Sequence, residues 1–131
     1  MKYIENFREL ENLFDYSFSE YQGSFDELSK TFFLDRLRRD IYEISLIYKK
    51  TATEEIDYEV GQHWLSELVA HVNRRLGCGR VFAPESVESG YLTFKVKDEY
   101  WRLKLDDETI RNVCWSVFPV KTPDDVEPVE R

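Results

Sequence analysis

A chain of 131 residues with 42% apolar and 15% aromatic side chains is long enough for one domain with its own core, and lies far from the disordered range. Twenty-six acidic against 18 basic side chains give a net charge of −8, which argues against general affinity for nucleic acid or anionic membrane. No apolar run nears the roughly 18 residues that a membrane-spanning helix requires.

Residues 2–14 carry Tyr3, Phe7, Leu10 and Phe14 at helical spacing, with Ile4 and Leu13 widening the stripe and Glu5, Glu9 and Glu11 outside it. The spacing predicts a short amphipathic helix. Asp15 to Gly23 then reads as a loop pinned by Tyr16, Phe18 and Tyr21. Ser24-Phe25-Asp26-Glu27 matches a capping box, in which the serine hydroxyl accepts from the Glu27 backbone and the glutamate side chain returns the bond. A long helix is expected from Phe25 to Tyr48, through Leu34, Leu37, Ile41 and Ile44, ending at Lys49-Lys50, where cations complement the helix dipole. Arg36 and Asp40 within it are spaced for a surface ion pair. Thr51 to Tyr58 forms a connector rich in acid (Glu54, Glu55, Asp57, then Glu59). A third helix follows from Val60 to Leu76, through Trp64, Leu65, Leu68, Val69 and Val72, with Gly77 as its stop.

Arg80-Val81-Phe82-Ala83 reads as a short edge strand closed by Pro84. From Gly90 to Asp106 two alternating runs predict an antiparallel hairpin with Asp98-Glu99 at its tip. Pairing Lys97 with Tyr100 sets Val96 opposite Trp101, Phe94 opposite Leu103 and Leu92 opposite Leu105, an apolar face. The opposite face carries Tyr91, Thr93, Lys95, Lys97, Tyr100, Arg102 and Lys104. Asp106 to Thr109 predicts a turn around Ile110, and Asn112 to Phe118 a last strand. The expected fold is α+β, with three N-terminal helices packed on a C-terminal three- to four-stranded antiparallel β-meander. Residues 1–121 form the expected single domain and 122–131 an acidic, Pro-containing flexible tail.

Charge is unevenly spread: residues 1–60 hold eight basic and fourteen acidic side chains, whereas residues 61–121 hold nine and eight. His63 and His71 are two helical turns apart, roughly 12 Å, too far to share a metal ion. Cys78 and Cys114 lack the spacing of a zinc or redox motif, and no nucleophile elbow, phosphate loop or dinucleotide fingerprint is present. No catalytic residue, metal or cofactor is expected. With no signal peptide at Met1-Lys2-Tyr3, the expected compartment is the cytoplasm.

Two surfaces are candidates for binding. The first is acidic and aromatic: Glu54, Glu55, Asp57, Tyr58 and Glu59, together with Asp15, Tyr16, Glu20 and Tyr21, suited to a basic protein partner. The second is the sheet face of Tyr91, Lys95, Lys97, Tyr100, Arg102 and Lys104, where aromatics stack bases and cations hold phosphates. The acidic, aromatic-rich composition without a catalytic motif is similar to that of bacterial toxin-immunity proteins and phage-encoded inhibitors. The likeness is one of composition and carries over no residue. The expected function is a non-catalytic inhibitor of immunity or anti-defence type that neutralises a basic toxin or nuclease. The alternatives are a single-stranded nucleic-acid module, or a small-ligand enzyme whose site forms only in three dimensions. Oligomeric state, monomer or homodimer, stays open.

Overall fold

The computed structural model describes residues 2–19, 26–75 and 82–115. Its elements are strand β1 (Lys2–Tyr3), helices α1 (Phe7–Ser17), α2 (Glu27–Ala52) and α3 (Tyr58–Arg75), strands β2 (Pro84–Glu88), β3 (Tyr91–Val96) and β4 (Glu99–Lys104), and helix α4 (Asp107–Ile110), which runs into a π-helical turn, Arg111–Trp115. The class is α+β, with α1–α3 ahead of strands β2–β4 and only the short β1 and α4 outside that order. The sheet has the order β1-β4-β3-β2, with β1 parallel to β4 and the other pairs antiparallel, so it is mixed and not a pure meander.

Short polar side chains start the helices. Asn6 accepts from Glu9 N–H, and the Glu9 carboxylate reaches back to Glu5 N–H. Asp26, not the serine of the expected capping box, caps α2 by accepting from Ser29 N–H at 2.7 Å; Ser24 and Phe25 lie outside the described residues. That bond, followed by one from the Ser29 hydroxyl, holds the Asp26 carboxyl below its ordinary value. Asp106 caps α4 through Thr109 N–H. Burial alone would raise the Asp106 pKa, but the Thr109 hydrogen bonds and nearby Lys104 outweigh it and lower it.

Several sequence expectations are corrected. Tyr3 lies in β1 and not on a helical stripe, while α1 continues through Asp15 and Tyr16, which were expected in a loop. The last strand is absent over 112–115, where α4 winds on, because Ile110, Val113 and Cys114 share one helical face and are all buried. Residues 116–118 of that expected strand, the 122–131 tail, and the Gly77 stop with Cys78 lie outside the described residues. Pro84 opens the edge strand instead of closing one, as suits a residue without an N–H, and residues 80–81 are outside the description. The expected Arg36–Asp40 pair does not form: Asp40 joins Arg75, tying α2 to α3.

The hairpin turns one residue earlier than expected. Lys97 and Asp98 occupy the tip with φ of 50° and 69°, the two left-handed positions of a type I′ turn. Phe94 therefore pairs with Trp101 and Leu92 with Leu103, a shift of two residues that leaves the paired side chains on their expected faces. The inner face of Leu92, Phe94, Val96 and Leu103 is buried beneath the helices in one core. Phe82 is its hub, meeting the rings of Phe14, Phe18, Phe33 and Phe94 at centroid distances of 5.6–6.5 Å. On the helical side Arg38 is buried over the Phe7 ring and bonded to Asp35.

Candidate functional site

The connector between α2 and α3 is built by a Schellman ending. Glu55 N–H donates to Lys50 O at 2.9 Å and Glu54 N–H to Thr51 O at 3.2 Å, which puts Glu54 in the left-handed position with φ of 62°. Glycine or asparagine usually fills that position, because an L side chain there costs roughly 1–2 kcal/mol. Asp57 is spent on structure, its carboxylate accepting from Glu59 and Val60 N–H at the start of α3. Glu54, Glu55 and Glu59 are exposed and make no ion pair among the described residues. Beside them Tyr58 is 67% exposed, Val60 43% and Trp64 48%. Val60 and Trp64, one turn apart, share a side of α3.

Trp64 was expected in the core stripe. The stripe is complete without it: Gly61, Leu65, Val69 and Val72 are buried and Leu68 is half-buried, leaving Trp64 on the flank. That residue count is the signal in the sequence that would have singled it out. Gly61 sits against Thr51, whose hydroxyl donates to Ile47 O; a Cβ on Gly61 would lie 2.0 Å from Thr51 Oγ1. This close approach sets α3 against α2 and so fixes where Tyr58 and Trp64 stand relative to the carboxylates.

Asp15 and Tyr16, expected to share the acidic surface, are elsewhere and engaged. The Asp15 carboxylate meets Lys30 Nζ at 2.8 Å, with Glu11 at 3.7 Å. Burial would lower the Lys30 pKa, but Asp15, then Glu11 and Glu27, raise it above the ordinary value. The Tyr16 ring packs on Trp101 and under Lys97 Nζ, and its hydroxyl donates to Glu99. Lys30 and Thr53 stand at opposite ends of α2, about 34 Å apart along its axis. The two halves of the expected surface are thus not brought together, and Glu20 and Tyr21 lie outside the described residues.

The outer sheet face does assemble. Tyr91 pairs with Lys104, Thr93 with Arg102 and Lys95 with Tyr100, and the parallel ladder adds Tyr3 beside Arg102. The Tyr3 ring meets Tyr91 at 5.9 Å, and Lys95 Nζ lies 5.7 Å from the Tyr100 ring centre. Lys97 leaves this face: as a turn residue it swings to α1, donates to Ser19 Oγ at 2.7 Å and covers Tyr16.

His63 and His71 are both exposed on α3. Cys114 is buried and unpaired, its thiol pushed up to about 12 by burial, against a small opposing effect of Arg38. Cys78 is outside the described residues. Among the described residues no group of three or more His, Cys, Asp or Glu side chains could hold a metal ion, and no helix is long and apolar enough to cross a membrane. Two open grooves of about 560 and 500 Å³ run between α3 and β2 and between α2 and α4. The chain matches no family model, no curated protein and no solved structure.

Proposed function

We propose that this chain is a non-catalytic binding protein that captures a basic protein partner on the α2–α3 end, in the manner of an immunity-type or anti-defence inhibitor. The observation that carries the reading is the coincidence of three carboxylates without a cation partner among the described residues and three exposed apolar or aromatic side chains, Tyr58, Val60 and Trp64. Carboxylates at a rim steer a basic partner and set the encounter rate, while aromatic anchors hold it. Glu54 adds weight: an acid kept in a backbone position that favours glycine is a strain that a binding role would account for. The buried, unpaired Cys114 suits a reducing compartment, in keeping with action in the cytoplasm.

The test is affinity capture from the native host, run in parallel with the wild-type chain, the triple variant Glu54→Gln/Glu55→Gln/Glu59→Gln, and Trp64→Ala. A basic protein retained by the wild type is expected to be lost or strongly reduced with both variants. Purified, that partner should associate more slowly with the triple variant, and the difference should shrink as salt is raised. Trp64→Ala should dissociate faster, by a factor of about 30 or more if Trp64 is a central anchor. No partner, an acidic partner, or equal retention by all three chains refutes the proposal.

A further inference from the structure

We propose that the outer face of the sheet is a second binding surface, on the opposite side from the helices, and that it takes single-stranded nucleic acid. Six side chains carry the proposal: Tyr3, Tyr91 and Tyr100, with Lys95, Arg102 and Lys104. The register puts all six on one side of three adjacent strands, and Tyr3 and Tyr100 are 48% and 42% exposed. Tyr3 stands beside Arg102 and Tyr91 beside Lys104, so the Tyr3–Tyr91 ring contact crosses β4 between these two cations. Tyr100 lies four residues along the sheet from Tyr91, about 13 Å away, with Arg102 and Thr93 between them. The face therefore presents an aromatic platform with a lysine beside it at each end, and Arg102 in the middle. A strand with unpaired bases needs that order: π-faces to stack on and cations at the intervening phosphates.

Arg102 supplies the second, independent observation. Its Nε is buried without a hydrogen-bond partner, and the side chain makes no ion pair among the described residues. The outer nitrogens of its guanidinium meet no carboxylate among the described residues, and a phosphate oxygen is an acceptor of the right charge for them. Other features favour a nucleotide chain over a protein segment. Among the described residues the face carries no aliphatic side chain, with only Ser86, Glu88 and Thr93 filling the rest of it, and lysine is depleted from the cores of protein interfaces. The net charge of −8 does not preclude this, because Glu88 at the margin is the one carboxylate that the register places on the face, and Asp106 meets Lys104 from its end at 3.6 Å. With Lys104 partly answered by Asp106, about two phosphates are held, by Lys95 and Arg102. A site of that size gives a slope near −1.4 in log affinity against log salt, or about a sevenfold loss between 50 and 200 mM.

The experiment is fluorescence anisotropy of a labelled dodecamer of uridine and one of thymidine at 50 mM salt. The competitors are a duplex of equal length and a polyglutamate peptide. The full chain is compared with Lys95→Gln/Arg102→Gln and with Tyr100→Ala, each checked by circular dichroism and thermal melting. Binding of at least one oligomer with a dissociation constant on the order of 10 μM is expected. Tyr100→Ala should weaken it about tenfold and the double variant by at least as much, with duplex and polyglutamate competing poorly. Lys95 and Tyr100 are exposed, so Lys95→Gln alone and Tyr100→Ala keep the test valid if Arg102→Gln disturbs folding. Lack of binding to both oligomers, binding unchanged in folded variants, or polyglutamate competing as well as the oligomers overturns the proposal. The variant at Glu54, Glu55 and Glu59, on a different surface, should bind the oligomer like the wild type, which separates this test from that of the α2–α3 end.

Discussion

Replacing Gly61 with alanine puts a methyl group 2.0 Å from Thr51 Oγ1 and 3.0 Å from Thr51 Cβ and Cγ2, where ordinary contact needs about 3.4 Å or more. Thr51 is buried, and turning its hydroxyl away breaks the bond to Ile47 O. The helices must part by about 1 Å or Thr51 must leave its rotamer, an overpacking cost in the upper part of the usual range, about 2–3 kcal/mol. Alanine's better helix propensity returns about 1 kcal/mol, so a net loss of about 1–2 kcal/mol is expected. For a domain of this size that is a fall of roughly 4–8 °C in Tm. The informative measurement is a double-mutant cycle by urea denaturation, with Thr51→Ala as the second change. Removing Oγ1 and Cγ2 takes away most of the overlap, so the double variant should be more stable than the sum of the single changes implies, by at least 1 kcal/mol. If Gly61→Ala is as stable as the wild type, or the two changes simply add, then α2 and α3 do not meet at Thr51. The placement of Tyr58 and Trp64 beside the connector acids would fall with it.

Phe82→Ala empties the ring cluster of Phe14, Phe18, Phe33 and Phe94 and should cost about 3–5 kcal/mol in denaturant unfolding. Glu54→Gly relieves the left-handed backbone and should raise stability by about 1 kcal/mol while weakening capture of the basic partner. Lys30, its pKa raised by Asp15, contributes stability that is fully present below pH 10.5 and lost as pH rises through the higher folded value. Denaturation above pH 10.5 should therefore show a decline that is smaller in Asp15→Asn. Cys114, moved from 9.0 to about 12, should react with an alkylating agent about a thousandfold more slowly than an ordinary thiol, and at the ordinary rate once the chain is unfolded. Peptide mass spectrometry resolves that cysteine from the other.

The helices and the faces of the hairpin are legible in the sequence because periodicity reports burial directly: Leu34, Leu37, Ile41 and Ile44 recur at helical spacing, Leu92, Phe94 and Val96 at every second residue. What escapes is set by neighbours remote in sequence. Val113-Cys114-Trp115 reads as a strand by composition, yet Asp106 starts a helix whose buried face packs on α1 and α2, and tertiary contact overrides propensity. The hairpin tip escapes because Lys97-Asp98 lacks the asparagine or glycine that announces a type I′ turn. β1 is two residues long, too short for any period to register. Of the candidate surfaces, the sheet face is readable by alternation alone, save for Lys97 and Tyr3. The union of Asp15 and Tyr16 with the connector acids is not readable, since it depends on how α2 separates its two ends.

The parallel pairing of Lys2–Tyr3 with β4 has a consequence for synthesis. The first strand of the chain is completed by a strand that ends at residue 104, so about 100 residues must be added before Ile4 N–H reaches its acceptor on Arg102. At 5–20 residues per second that interval is about 5–20 s. Throughout it Phe7, Leu10 and Leu13 have no sheet to cover, while α2 and α3, adjacent in sequence, are free to pair. Until then α2 and α3 form a helical hairpin while residues 4–14 stay uncovered, and a nascent chain halted before Glu99 should recruit chaperone through residues 4–14 and release it once β4 is made.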